Sequence, residues 1–292
     1  MINRVAAIIV VFNPSEDLCH NINQLAKSVS RLIVVDNTLD GSLNLPIDGF
    51  DLIRNYNRAC LAGAYNVAID FLNSNATDIQ YVIFVDDDTN CSTVGALLTS
   101  DRTIYTLNEP ATAAVSPQYI DKNTGVYGGY ILLSRFKIKY LDRPMRTLSE
   151  VSFLINSLSI WKLDVLNSLG KYDESLMIDH IDTDMSLRAK LNGFKLYVNP
   201  EVEYIHEIGN RKKYRFLLWQ LQSGGHSPER RYLIAKNTMI LARRNFFKFP
   251  SFVVLCVKRV VYEALGVICV EDSKYSKLRS LVRGFLSGLF AR

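Results

Sequence analysis

The chain has 292 residues, 48% of them hydrophobic and 22% charged, with a net charge of +5. This is enough for a sizeable core in one large domain, or in one domain with an appendage, and the composition is that of an ordinary globular protein. The five cysteines are odd in number and lack metal or redox spacing, which argues for reduced thiols in a cytosolic protein. The stretch nearest to a bilayer span, Phe252 to Val270, is interrupted by Lys258, Arg259 and Glu263.

Val5 to Phe12 is an apolar run closed by Asn13-Pro14, a buried strand and then a turn. Ser15 to Ser28 carries Leu18, Ile22 and Leu25 at helical spacing. Arg31 to Val35 is a second strand ending at Asp36-Asn37, and Leu52 to Arg54 a short third. Leu61 to Leu72 follows as a helix and Tyr81 to Val85 as the next strand. Strand and helix in alternation predict a doubly wound, mostly parallel α/β sheet. Asn13, Asp36 and Asp86 then fall at the carboxyl ends of strands, where ligands of such sheets lie.

The middle is less regular. Ala111 to Ser116 and Val126 to Leu133 read as strands, and Leu163 to Leu169 as a helix ending at Gly170. Ile181 to Leu191 is a clearer helix, with Asp182 at its start and Gly193 past its end. Leu196 to Val198 and Val202 to Ile205 are short strands, the second ending at His206.

Beyond His206 the character changes. Residues 1–206 hold 17 Lys/Arg against 24 Asp/Glu, a charge of −7, whereas 207–292 hold 17 against 5, a charge of +12. Residues 209–213 read as a basic turn and Ser223 to Pro228 as a linker. The rest reads as helices, some basic and amphipathic. The expected division is 1–206 and 207–292, the second part meeting a negatively charged surface or another subunit.

Two acidic groups carry chemistry. Asp86-Asp87-Asp88 follows a buried strand directly, and carboxylates this close repel unless a cation sits among them. Their oxygens suit Mg²⁺ or Mn²⁺; the alternative is a polar strand end that caps the next turn. Asp179, Asp182 and Asp184 crowd a helix N-terminus. One of them faces a cleft as a general base, or Asp182 is an N-cap and Asp184 pairs with Arg188 at i,i+4. His206 is a ligand or a structural histidine.

Taken in order, the Val-Val-Phe-Asn-Pro exit, Val-Val-Asp-Asn, Asn57 with Gly63 and Asn66, Asp86-Asp87-Asp88, the Asp182-x-Asp184 helix with Leu187-Arg188, Gly193-Phe194-Lys195, Pro200 and His206 resemble family 2 glycosyltransferases. The nearest branch is that of bacterial rhamnosyltransferases and galactofuranosyltransferases, and the resemblance covers roughly residues 3–206. It implies a GT-A fold, α/β and Rossmann-like, here with a mainly helical basic extension.

The resemblance also implies roles. Phe12 and Asn13 line the nucleotide site, and Asp36 reads the pyrimidine base with Asn37 beside it. Asn57, Gly63 and Asn66 pack against nucleotide and diphosphate. Asp86, Asp88 and His206 hold Mn²⁺ or Mg²⁺, Asp87 faces the nucleotide or sugar, and Asp182 is the catalytic base. Asn156 and Trp161 are candidates for an acceptor or donor-sugar pocket, with a core aromatic as the alternative for Trp161. Many relatives carry Glu-Asp where Ile181-Asp182 stands, which makes Asp179 a candidate substitute for the missing acid. The rhamnosyl branch often has Asp-Gln-Asp in place of Asp86-Asp87-Asp88, which leaves the donor sugar open.

The expected activity is inverting, metal-dependent transfer of rhamnose or galactofuranose from a dTDP- or UDP-linked donor to a hydroxyl of a cell-surface polysaccharide or lipid-linked glycan precursor. UDP-galactose, UDP-glucose and UDP-N-acetylglucosamine are the alternative donors. The expected location is cytoplasmic, peripheral on an anionic membrane face, with a homo-oligomer as the other use of the tail. A nucleotidyltransferase would open on a Gly-rich basic loop, and the Asn13-Pro14 turn is not one. No nucleic acid is expected, because the tail lacks aromatic interleaving and binding motifs.

Overall fold

The computed structural model describes residues 1–14, 16–207, 212–216 and 219–291, with backbone alone at 212–216 and 219–222. The first three residues of the basic turn read at 209–213 lie outside the described residues; Lys212 and Lys213 open a strand. By contact the chain divides into two compact units, residues 1–120 with 142–206, and residues 121–141 with 207–292.

The first unit is built on an eight-stranded sheet. In chain order it runs β1 (Val5–Val11), α1 (Leu18–Ala26), β2 (Arg31–Asp36), β3 (Asp51–Arg54), α2 (Cys60–Asn75), β4 (Tyr81–Asp86), α3 (Val94–Thr99), α4 (Asp101–Asn108) and β5 (Thr112–Asp121). The short hairpin β6 (Ile131–Leu133) and β7 (Ile138–Tyr140) intervenes and belongs to the second unit. The first unit resumes with β8 (Ser149–Val151), β9 (Ile160–Lys162), α5 (Leu163–Leu169), α6 (Ile181–Leu191) and β10 (Lys195–His206). The strand order is β3-β2-β1-β4-β9-β5-β10-β8.

All seven residues of β1 are buried, as a central parallel strand covered on both faces requires, which is why it reads as an unbroken apolar run. β1 pairs in parallel with β2 and with β4, and β2 with β3. The register sets Val11 opposite Asp36 and Val10 opposite Asp86, so both aspartates emerge at one edge of the sheet. β9 then runs antiparallel to β4 and β5. The sheet is thus mixed and mostly parallel, the α/β architecture the sequence predicts.

Two sequence expectations change. Of Val126 to Leu133 only Ile131–Leu133 forms a strand, because Gly128 and Gly129 interrupt the run. The two strands read on either side of Pro200 are one strand, β10. β8 covers only Leu196 to Val198, so one side of β10 carries no ladder at Pro200 and the missing N–H there is tolerated.

The second unit adds β11 (Lys212–Phe216), β12 (Trp219–Ser223), α7 (Pro228–Arg244), α8 (Pro250–Val270) and α9 (Lys274–Leu289). Ser227 caps α7 through its side chain with Pro228 at the first helical position, so the sequence read as a linker is a helix start. Gly284 and Gly288 of α9 face the carbonyls of Tyr232 and Lys236 on α7, where an added Cβ would collide with backbone. Arg231 is fully buried, yet paired with Glu263 and Glu271 and bonded to Ser223. Such a charge is tolerated only because it is matched. The expected boundary at His206 coincides with the contact boundary, but residues 121–141 pass to the second unit. There Ser251 donates to the Ser134 carbonyl at 2.6 Å and its N–H to Arg135 at 3.2 Å.

Candidate active site

The site lies in the first unit, at the sheet edge where β1, β2 and β4 end. Phe12 is 42% exposed and Asn13 also faces solvent in the turn after β1. Asp36 is fully buried, and its carboxylate accepts the Thr38 N–H (3.0 Å), the Thr38 hydroxyl (2.6 Å) and the Leu43 N–H (3.1 Å). It therefore organises its own loop into a rigid rim at the exit of β2.

Asn37, Asn55 and Asn57 form a carboxamide chain. Asn55 donates to Asn37 at 2.7 Å and Asn37 to Asn57 at 3.1 Å. Tyr56, Asn57, Ala59 and Cys60 all adopt left-handed φ, a costly backbone that this network holds in place. The loop then folds back on α2 so tightly that a Cβ on Gly63 would lie 2.1 Å from the Arg58 carbonyl. Gly63 is thus required for close approach. Asn66 is buried and clamps the Tyr172 backbone from both sides, accepting its N–H at 2.8 Å and donating to its carbonyl at 3.0 Å, with a further bond to Glu174. Its carboxamide is committed to the protein in this structure.

Asp86, Asp87 and Asp88 stand at the end of β4 as the sequence predicts. Burial and the neighbouring Asp88 and Asp182 push the Asp86 carboxyl up to about 7, while a bond from Ser157 pulls the other way. Asp87 is pushed up to about 6 by burial and by Asp88 and Asp86, against a bond from the Phe12 backbone. Crowded carboxylates repel one another, which raises their affinity for protons. No group of three or more His, Cys, Asp or Glu suited to a metal is assembled among the described residues. A pair is sufficient where substrate phosphates complete the shell, as they commonly do for Mg²⁺. His206 ends β10 with its ring 5.9 Å from that of Tyr119 and 5.8 Å from that of Tyr204.

The three carboxylates before and within α6 separate by partner. Asp184 is buried and bound to Arg188 at 2.9 Å, and Arg188 also holds the carbonyls of Leu169, Gly170 and Lys171. This is the i,i+4 pair read from the sequence. Asp182 is half-buried in the first turn, where its carboxylate accepts the Thr183 N–H at 2.6 Å. It is close enough to Asp86 to raise that group. Asp179 is half-buried in the turn before α6, which is entered through left-handed Met177 and His180.

Sequence reasoning missed the residues between these carboxylates. Ser157 bonds the Thr89 hydroxyl at 2.9 Å and reaches Asp86. Tyr65, Phe84 and Tyr172 pack as an aromatic trio, with centroids 4.6, 5.2 and 5.8 Å apart. Burial pushes both phenols upward, and Asp182 acts on each in the same direction. No local spacing marks these residues, since they come from α2, β4 and two loops. Asn156 is buried beside the phenols. Trp161 does not line a pocket: it is fully buried in β9 between β4 and β5, its indole N–H bound to Ser159 at 3.0 Å, and is a core aromatic.

The chain is 25% identical over 295 residues to the dTDP-rhamnosyl transferase RfbF of Shigella flexneri, covering 99% of this chain and 95% of that protein. A solved structure of S. aureus TarS aligns with 99% of this chain and 44% of its own, at 16% identity and a TM-score of 0.45, so the chain spans less than half of it. No family model matches. The likeness to rhamnosyltransferases drawn from the order of the motifs is borne out, along with the enzyme class, glycosyltransferase. It also reaches beyond residue 206, where the motifs alone do not carry it.

Proposed function

We propose that the chain transfers rhamnose from dTDP-rhamnose to a hydroxyl of a glycan or lipid-linked glycan precursor, inverting the anomeric carbon. The observation that carries this reading is the convergence of Asp36, Asp86 and Asp182 in one unit. The first two share a sheet edge, and the third is near enough to Asp86 to shift it. The likeness to a dTDP-rhamnosyl transferase supports rhamnose among the donors that the motifs leave open.

The chemistry needs one base and one stabilised leaving group. Asp182 takes the proton of the acceptor hydroxyl as its oxygen attacks the anomeric carbon. The bond to the diphosphate oxygen breaks on the opposite face, and the electron pair leaves with dTDP. A single displacement with no protein nucleophile inverts the centre, and no second carboxylate at a glycosidase distance is required. Asp86 and Asp88 would hold Mn²⁺ or Mg²⁺ as a pair, with oxygens of the donor's diphosphate completing the shell and His206 outside the set, and such an ion would neutralise the charge growing on the diphosphate. Asp87 then faces the nucleotide sugar.

A thermal-shift screen with Mn²⁺ tests the donor. dTDP-rhamnose is expected to raise the melting temperature more than UDP-galactofuranose, UDP-galactose, UDP-glucose or UDP-N-acetylglucosamine. A larger rise with a UDP-sugar replaces rhamnose, and no response to any nucleotide sugar sinks the transferase reading.

The second unit is read as a peripheral membrane anchor. Among the described residues no helix is long and apolar enough to cross a membrane. Val254, Val257, Val261, Leu265 and Ile268 form an exposed aliphatic stripe along α8, with Lys258 and Arg259 beside it and exposed Phe247 before it. A charge of +12 on residues 207–292 opposes self-association and favours an anionic surface, each cation near it contributing about 1 kcal/mol. The protein is expected to float with phosphatidylglycerol vesicles and not with phosphatidylcholine vesicles, and Val257→Asp with Val261→Asp should abolish flotation. A dimer that ignores vesicles and is broken by the same pair would assign the stripe to subunit contact.

A further inference from the structure

Asn156 carries an observation that the proposed chemistry does not use. The residue is 6% exposed, and its Nδ2 is buried without a hydrogen-bond partner. A buried donor left unpaired is costly, and native structures keep few of them, completed by water, an ion or a ligand. Its surroundings are rigid. The next residue, Ser157, is tied to Thr89 and Asp86, and the Leu158 N–H donates to the Phe84 carbonyl at 2.8 Å, fastening the segment to the strand of the carboxylates. On the other side the Tyr172 hydroxyl donates to Asn156 Oδ1 at 3.5 Å, and the Tyr65 ring packs against that of Tyr172 at 5.2 Å. Both phenols stay protonated at working pH, since burial and nearby Asp182 oppose their ionisation. The Tyr172 hydroxyl therefore takes the oxygen end of the amide, and the nitrogen end is left without a protein partner.

We propose that Asn156 Nδ2 is a binding group for the donor, donating to an oxygen of the bound nucleotide sugar, either on the sugar or on the diphosphate, with Tyr172 as the positioning residue that aims it. This rests on the transferase reading above and deepens it. Asn156 stands beside the phenols that Asp182 influences and one residue from the Ser157 that holds Asp86. In that reading these two carboxylates flank the bond that breaks.

The test is calorimetric titration of dTDP-rhamnose and of dTDP, each with Mn²⁺, into the full chain and into Asn156→Leu, a near-isostere that removes the amide without opening a cavity. Asn156→Leu is expected to bind dTDP-rhamnose about tenfold more weakly, the size of one hydrogen bond, while the ligand-free melting temperature falls only slightly, because the Tyr172 hydroxyl loses its acceptor as the unpaired Nδ2 is removed. dTDP binding weakened equally places the oxygen on the diphosphate, and dTDP binding unchanged places it on the sugar. Tyr172→Phe keeps the packing and should raise KM for the donor with kcat little changed; it decides the matter if Asn156→Leu does not fold. Unchanged dTDP-rhamnose affinity in the folded variants overturns the proposal. Failure of the unmodified chain to bind either ligand overturns the transferase reading beneath it.

Discussion

Asp182→Asn is expected to lower sugar transfer by about 10²- to 10⁴-fold, the range for loss of a general base, while donor affinity stays unchanged. Asparagine keeps the shape of the side chain and its acceptor for the Thr183 N–H, so the first turn of α6 survives. What is lost is the basic oxygen pair that takes the acceptor's proton. Because the proton moves only in the transition state, the loss falls on kcat rather than on binding. Asp184→Asn gives the contrasting result. Asp184 is bound to Arg188, which pins three carbonyls before α6, so its replacement costs stability first and rate second. Steady-state kinetics with calorimetric donor titration, alongside melting curves, separates the two. Near-normal kcat in Asp182→Asn would move the base to Asp179.

Removal of divalent cations is expected to abolish transfer, and readdition of Mn²⁺ to restore it. The thermal shift that Mn²⁺ produces is expected to grow as pH rises from about 5.5 to 7.5. The sign follows from the carboxyls of Asp86 and Asp87, held up to about 7 and about 6. Unfolded, both ionise near 4; folded and metal-free, they retain protons to higher pH. Between those values the folded state binds more protons than the unfolded one, so metal-free stability falls as pH rises. A cation needs the ionised form, so its stabilisation develops over the same window and levels off above the folded values. Asp86→Asn should raise the metal-free melting temperature near pH 7.5 and remove the response to Mn²⁺. Full activity in excess EDTA would discard the metal and leave the three aspartates as a strained strand exit.

The first half of the sheet was legible within a residue or two. β1, β2 and β4 are buried on both faces, and burial of that kind leaves unbroken apolar runs that end where polar side chains meet the site. α6 was legible at both ends from Asp182 and Gly193. β10 was read as two strands because Pro200 is a strong local signal, and its cost depends on which neighbour lies alongside, which is a property of the sheet. The separation of Asp182 from Asp184 was not legible: both sit in the same helical turn, and only Arg188 with the carbonyls it holds shows which of them is spent on structure.

Residue chemistry and order along the chain are enough to state what kind of site this protein has. Carboxylates at strand exits, an acidic helix start and a basic second half are local facts, and local facts survive in a linear sequence. Folding chose which of those groups face one another. Ser157 reaches Asp86, Asn66 grips Tyr172, and Asn156 meets the Tyr172 phenol across contacts that span many residues of chain. Such pairings are selected by close packing of the whole core and by the need to satisfy every buried polar atom, and neither constraint has a periodicity that a sequence can display.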